Sequence, residues 1–354
     1  MGPESVLVEV RKLDSEGRFS EIIELETQGL SNSDQCEVDF YIGKSYYALG
    51  EFEEAQMRLS RSLTTLSPQS SSKLQIQVRL YLGACNLQME NYSQSIVHLN
   101  AAKSLFESLS DEDRNDELVK IGTQIYFYLA QSLKFENKHE EAIETLVSAL
   151  NLDENWREEP EDKIPLLLEL GINSNLAKKY EQAESQLRSV LELLTKNLEE
   201  NEFLVADLKQ QLGFSMLKQN RVNPAIEMFT SALDVYKKAA DRNEADIASA
   251  QFMLGICYLR HKNYEEADQY LQQSLAVFNN PNLPMAELKQ ACAFIKWIAQ
   301  DERKDITLAF HTHHDRSSFK RLEEILTAIE QLENQEANLG KAEEATRSCG
   351  QSFH

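Results

Sequence analysis

Apolar residues recur along the chain at helical spacing, in a unit that is repeated six times. In the first copy, Gly43 lies twelve positions before Ala55, and Leu59 and Ser62 follow Ala55 at four and seven positions. Residues at i, i+4 and i+7 share one face of an α-helix, so each unit predicts an amphipathic helix after its second small residue. The six pairs of small residues are Gly43 and Ala55, Gly83 and Ser95, Ala130 and Ala142, Gly171 and Ala183, Gly213 and Ala225, and Gly255 and Ala267.

Each unit is interpreted as a hairpin of two antiparallel helices. Two helices approach closely only where one of them presents a small side chain, so the paired small residues mark the crossing point. A single hairpin cannot bury its apolar face, whereas stacked hairpins bury it against each other. The units start 40 to 47 residues apart, and the sequence therefore predicts an all-α stack of hairpins with long helices.

The composition agrees with a helical protein and narrows the range of partners. Only 12 Gly and 7 Pro occur in 354 residues, so the residues that favour turns and strands are scarce. The formal net charge of −22 repels nucleic acid and anionic membranes, and neither is expected as a partner. The negative charge is interpreted in two ways: it attracts a basic protein partner, or it only solvates an exposed helical face.

The cysteines and the apolar runs bear on the cellular compartment. Five cysteines are scattered along the chain without close pairs, which predicts reduced thiols rather than a disulfide framework or a zinc knuckle. No N-terminal signal segment and no run of about 18 apolar residues is visible. We therefore expect a cytoplasmic protein without a membrane span, with the nucleus or the cytoskeleton as alternative locations.

Sequence motifs of catalysis are missing. The chain contains no phosphate-binding loop, no dinucleotide fingerprint, no HExxH and no CxxC, so we expect neither an enzyme nor a bound cofactor. One cluster, His311, His313 and His314 beside Asp315, has the residue types that could share a zinc or nickel ion. A polar loop is the simpler interpretation of these histidines, and no metal is expected.

The repeated unit resembles the tetratricopeptide repeat. The matching residues are Ile42, Gly43, Tyr46, Ala55 and Leu59 in the first clear copy, and Leu254, Gly255, Tyr258, Ala267 and Leu271 in the last. A degenerate copy precedes them, in which Gly17 and Phe19 correspond to Gly50 and Phe52. The spacing of 40-odd residues is similar to that of kinesin light chains and of the LGN/Pins adaptors. The resemblance implies a right-handed superhelical solenoid of about seven hairpins.

Further elements are expected after the repeats. The breaker NNPNLP ends the repeats, and an apolar helical stripe follows it. A second stripe consists of Phe319, Leu322, Ile325, Ile329 and Leu332. The predicted organisation is a solenoid over 1–279 with a degenerate first repeat at 1–35, a capping helix at 280–304, a linker at 305–316, an amphipathic helix at 317–340 and a disordered tail at 341–354.

The resemblance also implies a binding groove, because the first helices of tetratricopeptide hairpins line a concave face. The implied groove residues are Phe40, Tyr41, Lys44, Leu80, Tyr81, Phe127, Tyr128, Gln131, Lys134, Asn175, Gln210, Phe214, Phe252 and Arg260. Packing between neighbouring hairpins is the alternative role of these side chains. Lys44, Ala84 and Gln131 occupy the places where chaperone-binding members need asparagine and paired basic residues, so binding of chaperone C-termini is not expected.

The expected function is that of a non-catalytic adaptor. Its groove would bind a peptide or helix of a partner protein, with an apolar amphipathic or basic segment as the expected ligand. The alternative is a self-regulated sensor, in which the helix at 317–340 occupies the groove until a ligand or partner displaces it. Self-association through that helix is a further use of its apolar stripe.

Overall fold

The fold is known from a computed structural model. It describes residues 3–25, 30–66, 71–152, 160–194, 201–238 and 244–280, then 282, 283, 288, 291, 292, 294–296, 298, 320–332 and 334. The His311, His313 and His314 cluster lies outside the described residues, as do the predicted linker and the predicted disordered tail.

Fourteen α-helices follow one another over residues 3–278 of the described chain, which contains no strand. They are α1 (Pro3–Ser15), α2 (Phe19–Ile23), α3 (Asn32–Ala48), α4 (Phe52–Thr65), α5 (Ser72–Gln88), α6 (Tyr92–Glu107), α7 (Asp116–Phe135), α8 (His139–Leu150), α9 (Ile164–Leu176), α10 (Tyr180–Leu194), α11 (Glu202–Lys218), α12 (Val222–Lys238), α13 (Glu244–Arg260) and α14 (Tyr264–Phe278). The prediction of an all-α helical repeat is confirmed.

The helices belong to two compact units, residues 1–179 and 180–354. In the first unit, α3 packs on α4, α5 on α6 and α7 on α8, and each hairpin also packs on the next. In the second unit, α11 packs on α12 and α13 on α14. Each hairpin therefore shares a buried cluster with the next one in its unit, as stacking of the repeated sequence requires.

Local sequence determines where the helices start and stop. The side chains of Ser31, Ser71 and Asn115 accept hydrogen bonds from backbone N–H groups in the first turns of α3, α5 and α7, as N-caps do. The first helix of a hairpin ends at a residue with positive φ, which turns the chain toward the second helix. These residues are Gly50, Glu90, Asn137, Lys178, Asn220 and Lys262.

The paired small residues lie where the spacing predicts, at the close approach of the two helices. A Cβ atom built on Gly83 would lie 2.4 Å from Leu99 Cγ, and one on Gly43 would lie 2.7 Å from Leu59 Cγ. The leucine four positions after the second small residue thus fills the space that the glycine leaves open. Because real Cβ contacts are not that short, these two positions tolerate only glycine without a shift of the neighbour.

The C-terminal part of the described chain completes the core of the second unit. Residues 320–332 form a helix, and its Leu322, Ile325 and Ile329 belong to the same buried cluster as Leu275 and Phe278 of α14. Leu288, Cys292, Ile295 and Ile298, from the predicted capping segment, are buried in that cluster too. Leu322, Ile325 and Ile329 of the C-terminal helix are therefore covered within their own unit.

Candidate protein-interaction site

Five of the groove residues implied by the sequence are core residues. Phe40, Leu80, Asn175, Phe214 and Phe252 are no more than 2% exposed. The first helix of each hairpin packs both on its own second helix and on the next hairpin, so positions beside the small residue are covered from two sides. For Phe40, Asn175, Phe214 and Phe252 the structure favours the packing role over contact with a partner, whereas Leu80 also forms part of a pocket wall.

Three of the implied cations are held by groups of the protein itself. Lys44 Nζ lies 2.7 Å from Asp14 Oδ1, and Lys134 Nζ lies 2.7 Å from Oε1 of Glu169, which is buried. Arg260 donates a hydrogen bond to the carbonyl oxygen of Leu217 at 3.1 Å. These ion pairs and this hydrogen bond join neighbouring helices, so the three cations are not free handles for a ligand.

The other groove residues implied by the sequence are partly exposed to solvent. In the first unit, Tyr41, Tyr81, Phe127, Tyr128 and Gln131 are half-buried. Gln210, in the second unit, is half-buried as well, and its Oε1 atom is buried without a hydrogen-bond partner. The partly exposed aromatic residues are thus concentrated on α3, α5 and α7 of the first unit.

A pocket of about 190 Å³, the aromatic pocket, lies among these helices. Its walls are Phe19 of α2, Lys44, Tyr47 and Ala48 of α3, Leu80 and Tyr81 of α5, and Gln124 and Tyr128 of α7. Four of these residues were implied by the sequence, whereas Phe19, Tyr47, Ala48 and Gln124 were missed. Tyr47 and Ala48 lie four and five positions after Gly43, so the family's own groove rule, applied to the first repeat, could have found them.

Ring contacts and a hydrogen bond join the aromatic pocket across three hairpins. The rings of Tyr47 and Tyr81 meet edge to face with centroids 5.5 Å apart, and Phe40 contacts Tyr81 at 5.9 Å. The Tyr47 hydroxyl is hydrogen-bonded to Tyr128. Tyr47 and Tyr128 lie on α3 and α7, which are separated by α5, so this bond bridges the hairpin between them.

The ionisable groups of the pocket leave it without net charge. Burial raises the pKa of Tyr81 to about 12. Burial, together with the hydrogen bond to Tyr128, also raises the pKa of Tyr47 above its ordinary value. Both hydroxyls are therefore neutral at physiological pH, and the ammonium of Lys44 is balanced by Asp14.

The described residues do not bring a set of metal ligands together, and their cysteines are buried. Within them, no three His, Cys, Asp or Glu side chains come together as metal ligands. Cys36, Cys85, Cys257 and Cys292 are buried, and burial raises the pKa of Cys85 to about 12, which suppresses its nucleophilic thiolate form. None of the described helices is long and apolar enough to cross a membrane.

Comparison with known families agrees with the repeat seen in both units. Residues 123–155 in the first unit and 204–280 in the second match tetratricopeptide-repeat family models. A search of curated proteins finds no match to the sequence. Together with the hairpin fold described above, the two matches show that both units contain tetratricopeptide repeats.

Solved structures of similar fold include other helical repeat proteins. The apo form of RapI matches with a TM-score of 0.59 and 18% identity, over 82% of this chain and 98% of RapI. A chain of the APC/C hetero-tetramer Cut9–Hcn1 matches with a TM-score of 0.51 and 21% identity, over 80% of this chain and 48% of that one. The C-terminal part of a TPR repeat-containing protein from Cytophaga hutchinsonii matches with a TM-score of 0.51 and 15% identity, over 79% of this chain and 97% of that one. These likenesses concern the fold, and the repeats themselves support a role in protein interaction.

Proposed function

We propose that this protein is a non-catalytic adaptor that binds a peptide or helical segment of a partner protein on the first unit. The observation that carries this proposal is the aromatic pocket, a concave site built by side chains of four helices. Half-buried tyrosines supply large contact area and a polar end at a low cost in side-chain entropy, which suits protein recognition.

The position of the pocket supports a ligand that runs along the stack. Tyr41, Phe127 and Gln131 are partly exposed on the same first helices that carry the pocket residues. A segment bound in the pocket would therefore find further contacts on α3 and α7. Extended or helical peptides use such a series of side-chain contacts along a groove.

The described contacts of the C-terminal helix do not favour the self-regulated sensor. Leu322, Ile325 and Ile329 are buried against α14 in the second unit, and Arg321 Nε lies 3.3 Å from Asp268 Oδ1 of that helix. These three described residues of the stripe are thus already covered, and they offer no free apolar face for self-association. We therefore propose the simple adaptor rather than the self-regulated sensor.

A random library of 12-residue peptides displayed on phage tests the proposal without a known partner. The library is selected on the full-length protein, and the enriched peptides are synthesised and titrated by fluorescence anisotropy. Tyr81→Ala should weaken their binding at least about tenfold, because an aromatic wall is a typical interface hot spot. Tyr270→Ala, which removes a tyrosine from α14 of the second unit, is the control and should leave the affinity unchanged. A library without enriched peptides, or peptides indifferent to Tyr81→Ala, would overturn the proposal.

A further inference from the structure

Resting on the proposed function, we infer that the aromatic pocket takes one uncharged apolar side chain of the partner peptide, of the size of Leu, Met or Phe. We further infer that Gln124 holds the peptide main chain beside that anchor. The inference specifies which ligand chemistry the adaptor selects, and it follows from the volume, the charges and the unpartnered polar groups of the pocket.

The volume limits the ligand to a single side chain. The aromatic pocket encloses about 190 Å³, whereas small-molecule sites are typically about 300 to 1,000 Å³. A cavity of about 150 Å³ lined by apolar side chains is large enough for benzene. One branched or aromatic side chain therefore fits the aromatic pocket, and a cofactor does not.

The charges around the pocket disfavour a charged anchor. Lys44, at the wall, forms an ion pair with Asp14 at 2.7 Å, so its charge is not left to neutralise a bound side chain. A lysine, arginine or acidic anchor would therefore bring an unpaired charge beside this closed ion pair and among largely apolar walls. Moving an unpaired charge from water to such a site is unfavourable, so an uncharged anchor is selected.

Two polar groups of the pocket remain for the peptide backbone. The Gln124 side chain is exposed at the wall of the pocket and has no hydrogen-bond partner within the described residues. The Tyr81 hydroxyl likewise has no such partner among them. An amide side chain both donates and accepts hydrogen bonds, so Gln124 can pair with one peptide group of an extended segment.

The exposed residue Ala48 offers a direct test, because a larger side chain there would fill the pocket. The probe is the strongest enriched 12-residue peptide, resynthesised with Leu, Ala, Lys or Glu at its anchor position. We expect the Leu peptide to bind the wild-type protein at least about tenfold more tightly than the other three. Ala lacks three carbon atoms of Leu, each of which counts in an apolar pocket, and Lys or Glu would bring an unpaired charge.

Three variants separate the parts of the inference. Ala48→Leu should weaken the Leu peptide at least about tenfold and reduce the difference between the Leu and Ala peptides, because the space for the anchor is lost. Gln124→Ala should weaken every peptide by a similar factor while the order of anchors stays the same. Ala276→Leu, at an exposed alanine of α14, is the matched control and should change nothing.

The failures of the two proposals are distinguishable. Suppose that the peptides lose affinity with Tyr81→Ala. If they nevertheless prefer Lys or Glu at the anchor position, or bind Ala48→Leu as tightly as the wild-type protein, the pocket inference is wrong and the adaptor proposal still holds. If neither Tyr81→Ala nor Ala48→Leu changes the affinity of the peptides, the adaptor proposal itself is wrong. An unchanged circular dichroism spectrum and melting temperature of each variant show that a loss of affinity is not a loss of folding.

Discussion

At the scale of residues, one histidine replaces an aromatic side chain of the repeat. Tyr92 and Tyr264 begin the second helices of their hairpins, whereas His139 begins α8. Burial lowers the pKa of His139, and the nearby ammonium of Lys134 lowers it further, while Asn173 and the carboxylate of Glu140 act in the opposite direction. Its Nδ1 atom is buried without a hydrogen-bond partner. The imidazole is therefore favoured in its neutral form in the folded state.

This predicts a pH-dependent stability. An unfolded histidine binds a proton with an ordinary pKa of about 6.5, while the folded one resists protonation, so the unfolded state gains protons first as the pH falls. His139 should thus reduce the free energy of unfolding as the pH drops below about 6.5. His139→Tyr should flatten the decrease between about pH 7 and pH 5, measured by urea unfolding at several pH values.

The control for His139→Tyr is Lys138→Tyr, which adds a tyrosine at the exposed neighbouring position and keeps the histidine. It should preserve the pH dependence of the wild-type protein. If His139→Tyr retained the full decrease below pH 6.5, His139 would not be its source.

At the scale of elements, the hairpin depends on how closely its two helices approach. In the α5–α6 hairpin, the Leu99 side chain lies over Gly83. In the α11–α12 hairpin, a Cβ on Gly213 would lie 3.0 Å from the Phe229 ring, a less severe contact. The same sequence position therefore carries a different steric cost in different hairpins.

Gly83→Ala should destabilise the protein by about 1 to 3 kcal/mol, because the new Cβ overpacks the contact with Leu99. In a double-mutant cycle with Leu99→Ala, which removes the obstructing side chain, most of that added cost should disappear. Gly213→Ala is the comparison and should cost less than Gly83→Ala. Urea unfolding measures the free energy of unfolding of each variant. If Gly83→Ala lowered it equally in the wild-type protein and in the Leu99→Ala variant, the contact with Leu99 would not determine how closely the two helices approach.

At the scale of the whole molecule, each unit contains its own buried cores, and the second unit includes the C-terminal helix. Ile325 is fully buried in the cluster that contains Leu275 and Phe278 of α14. The helix 320–332 thus covers an apolar surface that the repeats of this unit would otherwise expose. We therefore expect a change in this core to affect the second unit and to leave the aromatic pocket of the first unit unchanged.

Ile325→Asp should therefore lower the free energy of unfolding by at least about 3 kcal/mol, because it removes a buried side chain and introduces an unpaired charge. Hydrogen exchange should become faster in α14, while the selected peptides keep their affinity for the first unit. Glu330→Ala, at an exposed position of the same helix, should change neither property. A clear gain in peptide affinity with Ile325→Asp would instead favour the self-regulated sensor.

The fold could be predicted from the sequence alone, because it depends on a local periodicity that is repeated many times. The twelve-residue spacing of Gly43 and Ala55 predicts the hairpin, and the later copies predict its stacking. The apolar stripe of residues 319–332 also predicts a helix with one buried face. Helical period and side-chain size are properties of neighbouring residues, so they can be read without knowing what lies across the core.

Tertiary structure decided which of these residues meet and which remain exposed. Phe40 and Tyr41 are adjacent in the sequence, yet the first is buried in the core and the second keeps part of its surface. The aromatic pocket joins Phe19 to Gln124 and Tyr128 across more than 100 residues of sequence. Burial and proximity of this kind depend on how successive hairpins are rotated against each other, and that rotation is set by the packing of whole helices rather than by any single repeat.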